Sequence, residues 1–371
     1  MGFDSFLGSA GAVRQLRAAI GAGRMPPAAI FAGARGAGKY TLAIMAAQTL
    51  ACRRRPSTDG LPDFCGLCDN CARIAESANL DQRVDEAVAA REEMREADKK
   101  ETRILVQTHP DLLVIPPDPP QLLIKVGQVR SVTDRIYRLP AESPRAVYIF
   151  TSSAFMKEAA NALLKALEEP PAYAHLVLLA EDPADLLPTI RSRSSIFRLR
   201  ALPAAEMDAL LARRRPELPQ RQRELVARLA EGAAGRALSF DLASYLASRQ
   251  DALLLLKTAL ADGSGDPDHS ALFRMTETYR AGAEGQEKTA SLLRAFARLL
   301  EDLLLLHAGS PSLVRNVDMQ AELARMSAAV DVAWLEAALR GLTQVEQGMR
   351  RNLLRSLSLD GFATDLPSLP A

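Results

Sequence analysis

With 371 residues, 48% apolar and 25% charged, the chain is longer than one hydrophobic core usually organises, so two or three domains are expected, stable without disulfides. Its 46 basic and 45 acidic residues leave a net charge of +1, which excludes bulk positive charge as a basis for nucleic-acid binding. No apolar run approaches the roughly 18 residues of a membrane span. The first ten residues lack a leader pattern and Phe6 spoils a myristoylation signal, so a cytoplasmic protein without a membrane partner is expected.

The spacing of Val13, Leu16 and Ile20 predicts a capped helix over Phe3 to Gly23. Ala28 to Ala32 reads as a buried strand, followed by a Gly-rich turn and a helix from Tyr40 to Leu50. Residues 81–103 are dense in both signs of charge, with sparse apolar positions at Val84, Val88 and Met94, and read as a solvated helical extension. Further strands are expected at Leu112–Ile115, Val147–Phe150 and Leu176–Ala180. Helices are expected at Val126–Leu139 and Ala159–Glu169, the latter stopped by Pro170-Pro171. After about Leu202 the pattern is helical: Glu206–Arg213, Arg221–Glu231, Leu238–Ala247 and then long leucine stripes. Gly232 and Gly235 are breakers, and Pro, Gly and Asp cluster between Asp262 and Asp268.

Gly33-Ala34-Arg35-Gly36-Ala37-Gly38-Lys39-Tyr40 matches a phosphate-binding P-loop at both outer glycines and the lysine, between a strand and a helix as that motif requires. Gly33, Gly36, Gly38 and Lys39 would wrap and reach nucleotide phosphates. The last position should be Ser or Thr, a magnesium ligand, and is Tyr40. Thr41 lies about 100° further round the helix and is no automatic substitute. The strand Val147–Phe150 should end in the acids that complete a magnesium site. It is followed by Thr151-Ser152-Ser153, and the nearest acid is Glu158. With both metal-binding features missing, inefficient ATP hydrolysis is expected, while the glycines and Lys39 leave room for ATP to bind.

All four cysteines, Cys52, Cys65, Cys68 and Cys71, fall within twenty residues, with two-residue gaps between the last three. In a reducing compartment this favours a metal over disulfides. Four thiolates suit a closed tetrahedral zinc site, and an iron–sulfur cluster or free thiols also satisfy the spacing.

Several blocks resemble bacterial DNA polymerase III clamp-loader subunits, a family of AAA+ proteins. Asn161-Ala162-Leu163-Leu164-Lys165-Ala166-Leu167-Glu168-Glu169-Pro170-Pro171 is similar to a signature of that family. Leu187-Pro188-Thr189-Ile190-Arg191-Ser192-Arg193-Ser194 is similar to its Ser-Arg-Cys arginine-finger segment, with Ser194 in the cysteine position. His109-Pro110-Asp111 and Ile124 to Arg130 resemble two further blocks. The resemblance covers about residues 1–200, and within the family the missing acids resemble the delta-prime type; the alternative is an active gamma/tau-type ATPase subunit.

This resemblance implies an AAA+ P-loop α/β domain with a parallel sheet at 1–200, carrying a zinc module at 52–71; the charged helical insertion at 80–104 is read from its charge density. It also implies a helical lid at 201–250 and an all-α collar at 251–371. It implies a structural zinc on the four cysteines and an arginine finger, Arg193, that acts in trans on a neighbouring subunit. By the same resemblance Arg236 takes a sensor-2-like nucleotide position, the alternative being a helix cap, and Lys165 faces DNA in the assembled ring, the alternative being a solvated lysine. The implied partners are gamma/tau and delta subunits, the sliding clamp and primer–template DNA, within a DNA polymerase holoenzyme. Between Cys71 and His109 lie 37 residues, more than the family needs, and the excess is expected to form a helical protrusion, a solvated face with a partner-docking arm as the alternative.

Overall fold

The computed structural model describes residues 2–119, 121–261, 274–276, 278–279, 282–350 and 361–362. The Pro/Gly/Asp cluster of 262–268 and Pro120 lie outside them. The chain divides into two compact units: residues 1–207 with 232–236, and residues 208–231 with 237–371. The boundaries expected from the sequence were near 200 and 250. The short stretch 232–236 joins the first unit through backbone contact, Gly235 N donating to Gly36 O.

In the first unit the elements run α1 (Ala10–Gly21), β1 (Ala28–Ala32), α2 (Lys39–Ala51), the short strands β2 (Ser57–Thr58) and β3 (Leu61–Pro62), α3 (Asp69–Glu76), α4 (Leu80–Glu92) and α5 (Glu96–Glu101). They continue with β4 (Val106–His109), β5 (Leu112–Ile115), α6 (Val126–Ile136), β6 (Ala146–Phe150), α7 (Lys157–Glu168), β7 (Ala174–Ala180), α8 (Pro188–Arg191) and β8 (Ser195–Arg198). Six strands form one sheet in the order β4-β5-β6-β7-β1-β8, parallel except for the antiparallel β4 edge. The buried runs of β1, β5, β6 and β7 follow from helices on both faces. Ala29 and Phe31 enter one core with α1, α2 and α3, while Ala28, Ile30 and Ala32 enter the other with α6 and α7.

Three expectations needed correction. The predicted helix over Phe3–Gly23 is a short 3-10 turn at Phe3–Ser5 and then α1, because Gly8 and Ser9 adopt left-handed φ values of 75° and 51°. The Ser9 hydroxyl is used in a tertiary contact, accepting from Arg200 N and donating to Arg200 O. Strands β4 and β8 were not expected; both are short edge strands with polar residues and little apolar periodicity. The charged extension forms α4 and α5, but α4 does not protrude: Leu80 and Val84 pack against the core that contains α2.

The second unit is helical throughout its described residues. Its core gathers Leu255 and Leu256 from the helix Leu242–Ala261, then Leu292, Phe296, Leu299, Leu300 and Leu303 from the helix Gly282–His307, and Trp334 and Leu335 from the helix Val332–Arg350. Inside it, the fully buried Asp302 accepts from Arg315 N (2.7 Å), Asn316 N (3.0 Å) and Asn316 Nδ2 (2.7 Å), so its carboxylate is compensated.

Candidate functional site

The carboxyl ends of β1, β5, β6 and β7 open on a cleft of ≈ 840 Å³, where a doubly wound sheet places its ligands. Gly33 to Lys39 connects β1 to α2 along its floor. Gly36 and Gly38 have φ of 83° and 88°, the left-handed region that a side chain disfavours. At Gly36 a Cβ would also sit 2.8 Å from the backbone nitrogen of Arg236. Gly235 N donates to Gly36 O at 2.8 Å, so the 232–236 segment, with Arg236 in it, abuts the Gly33–Lys39 loop through main chain. Sequence spacing marks Gly235 only as a helix breaker; the close approach to Gly36 is what requires it.

Lys39 Nζ donates to the Gly33 and Ala34 carbonyls at 2.5 and 3.0 Å. Burial lowers its pKa, opposed by Glu181 and reinforced by Arg35. The Tyr40 hydroxyl donates to Ser77 O at 2.5 Å, and burial, with Asp81 adding, raises its pKa. Thr41 is exposed and lines the cleft, and the half-buried Thr151, Ser152 and Ser153 at the end of β6 line it too. Glu158 is exposed in the first turn of α7 and is not among the cleft's lining residues. The acids that line it are Asp81, Asp85 and Glu181, which sequence reasoning missed. Asp81 and Asp85 sit in a run of mixed charge that looks solvated, and Glu181 simply follows a strand. The loop therefore fits phosphates, whereas the carboxylates that would hold magnesium at the end of β6 are replaced by hydroxyls.

The four cysteine sulfurs lie within 4.8 Å of one another. Backbone N–H groups of Arg55 and Cys65 point at the Cys52 sulfur (3.2 and 3.4 Å), and that of Cys68 at the Cys65 sulfur (3.3 Å). Gly66, at φ 68°, turns the chain between Cys65 and Cys68. At Cys65 the raising effect of burial is outweighed by hydrogen bonds from the Leu67 and Cys68 backbone and from neighbouring thiols, leaving its pKa at about 6. Cys71 is pushed up by burial and by the adjacent sulfurs. Four sulfurs this close repel as thiolates, a conflict that a bound dication relieves, so the set fits a tetrahedral metal ion.

Arg193 lies on the turn between α8 and β8. Its guanidinium, 38% exposed, donates to Thr189 O (3.1 Å) and pairs with Glu168 (3.0 Å) at the end of α7. Lys165, on α7, is exposed. The structure thus brings Gly33, Gly36, Gly38, Lys39, Tyr40, Thr41 and the backbone of Arg236 to one end of the sheet, and the four cysteines to another centre beyond α2.

Residues 8–203 match the family described as DNA polymerase III, delta subunit. The chain belongs to that clamp-loader family. It is 30% identical to subunit delta' of DNA polymerase III from Escherichia coli over 256 residues, 67% of this chain and 72% of that protein. It is also 31% identical to subunit gamma/tau from Mycobacterium bovis over 212 residues and 28% identical to E. coli subunit tau over 281. These stretches take in 57% and 74% of this chain, and the chain spans only 31% and 36% of those two proteins. Among the described residues no helix is long and apolar enough to cross a membrane.

Proposed function

We propose that this clamp-loader family member acts as a delta-prime-type subunit: an AAA+ domain that does not hydrolyse ATP efficiently itself and lends Arg193 to the ATP site of a neighbouring subunit. The observation that carries the reading is the end of β6, where Thr151, Ser152 and Ser153 line the cleft in place of acids. Hydroxyls neither neutralise a magnesium ion nor take a proton from water. The exposed guanidinium of Arg193 supports the second half. Its pairing with Glu168 is a surface ion pair, worth at most about 1 kcal/mol, so it yields readily to a phosphate.

On this reading the four cysteines hold a structural zinc, residues 201–250 form the lid and 251–371 the collar. Arg236 sits beside the nucleotide loop and Lys165 faces DNA phosphates within the ring. The partners are gamma/tau and delta subunits, the sliding clamp and primer–template DNA, in the cytoplasm. A gamma/tau-type motor is the second reading, favoured by the intact Gly33–Lys39 loop and by the similarity to gamma/tau proteins.

ATPase measured on the isolated chain and on its assembly with partner subunits decides between them. Negligible turnover alone, together with stimulation of the assembly that depends on Arg193, supports the delta-prime reading. Turnover by the isolated chain that vanishes in Lys39→Ala supports the motor.

A further inference from the structure

Helix α4 has no place in the function just proposed, yet it lines the phosphate-loop cleft. Its half-buried residues Leu80, Val84, Val88 and Arg91 recur at helical spacing, and Leu80 and Val84 pack on the core beneath the loop helix α2. At its far end Arg91 pairs with Asp118 at 2.6 Å; their side chains are 15% and 1% exposed. Asp118 belongs to the loop after β5, whose Pro116, Pro117 and Pro119 also line the cleft, and Lys125 approaches the same carboxylate at 3.5 Å. The helix is therefore fastened at both ends, to the loop-helix side and to the proline wall. Between those anchors Asp81 and Asp85, one helical turn apart, line the cleft that also holds Arg35 and Lys39.

We infer that α4 is a strap across the phosphate-loop cleft, held shut by the Arg91–Asp118 pair, and that its Asp81 and Asp85 carboxylates oppose entry of a nucleoside triphosphate. The argument is electrostatic. A triphosphate brings several negative charges to a loop that offers Arg35 and Lys39, and two fixed carboxylates on the cleft wall offset that attraction. Lys39 already has its ammonium on two loop carbonyls. Anchoring matters because a mobile helix would swing its charges into solvent, where salt screens them. Lifting the strap takes Arg91 from the buried Asp118 and leaves only the longer 3.5 Å contact to Lys125, so the closed strap resists lifting. The inference rests on reading Gly33–Lys39 as a phosphate loop, but not on the role of Arg193.

The test is equilibrium binding of a fluorescent ATP analogue to the full-length chain, with and without magnesium, with circular dichroism to establish folding. The Asp81→Asn/Asp85→Asn double variant changes only exposed carboxylates and is expected to fold. It should bind about tenfold more tightly than wild type, and adding Lys39→Ala should remove the gain. The Arg91→Gln/Asp118→Asn double variant removes both charges of the anchor together and should also tighten binding, with faster hydrogen exchange across α4. Affinity equal in wild type and both double variants overturns the strap. A gain that survives Lys39→Ala overturns it too, because the nucleotide would then be bound elsewhere. Failure of the delta-prime reading would show instead as ATP turnover, or as Arg193-independent assembly activity, neither of which this binding measurement reads.

Discussion

The Tyr40 hydroxyl reaches the Ser77 carbonyl oxygen at 2.5 Å, tying the first turn of α2 to the end of α3. Two further bonds lace the same pair of helices: Gln48 Nε2 to Cys71 O and Asn70 Nδ2 to Ala51 O, both 2.9 Å and buried. The residue that occupies the P-loop serine position is thus committed to the helix that carries Cys71. The Gly33–Lys39 loop and the cysteine centre are parts of one packed layer.

Tyr40→Phe should therefore destabilise the first unit by about 1 kcal/mol, the worth of a partly buried hydrogen bond. Tyr40→Ser, although it restores the usual P-loop residue, should cost more, about 2–4 kcal/mol, because the ring's packing is lost as well. Urea unfolding of both variants checks the order, and neither should gain ATPase, since β6 still ends in hydroxyls. The raised Tyr40 pKa has a pH consequence. Its stabilising contribution is complete below the unfolded value of about 10 and is lost as pH rises through the folded value. The alkaline limb of stability should be shallower in Tyr40→Phe.

The cysteine centre should hold one zinc ion per chain under reducing conditions. Metal analysis of purified protein should find it, and Cys68→Ser should lose most of it. Cys71, fully buried beneath α2, is the ligand whose replacement should also unfold the first unit. Because the ligands bind as thiolates, metal uptake should release protons and acid should release the metal. Iron with visible absorbance, or no metal at all, would count against a zinc site.

Asp111 should anchor acid stability. It accepts from the backbone N–H groups of Ala141, Glu142 and Ser143 at 2.6, 2.8 and 2.7 Å. Burial would raise its pKa, but those three bonds outweigh it and hold the carboxyl below the usual range. The sign follows: the stabilisation is present above the unfolded value of about 4 and is lost as pH falls below it. Asp111→Ala should cost about 1–3 kcal/mol at neutral pH, and the difference from wild type should shrink in acid, measured by urea midpoints between pH 7 and pH 3.

Arg193→Ala should assemble normally with partner subunits yet lower the ATPase of the complex and slow clamp loading, because a guanidinium supplied in trans stabilises charge on the departing phosphoryl group. Arg193→Lys should rescue poorly, since an ammonium lacks the planar fork. Glu168→Ala removes only an exposed partner and should leave stability within about 0.5 kcal/mol of wild type. A correctly assembled Arg193→Ala complex that loads clamps at the normal rate would leave the turn before β8 with a structural role alone.

Local signals in the chain were enough to locate β1 and β5 to the residue, and β6, β7, α2 and α7 to within two residues at each end. Buried strands are continuous apolar runs and helices are stopped by proline or glycine, so adjacent residues carry that information. The same holds for the glycines and Lys39 of the loop, the missing acids after Phe150 and the four clustered cysteines, all motifs of close spacing. Edge strands β4 and β8 were illegible because half their surface is polar and their register comes from the neighbouring strand. Only the tertiary structure brings Asp81 and Asp85 to the cleft, Arg91 to Asp118 across 27 residues, and Gly235 to Gly36 across almost two hundred. A charged helix reads the same in sequence whether it is solvated or fastened over a cleft. What decides is a buried carboxylate elsewhere in the chain, and that pairing leaves no mark on local periodicity.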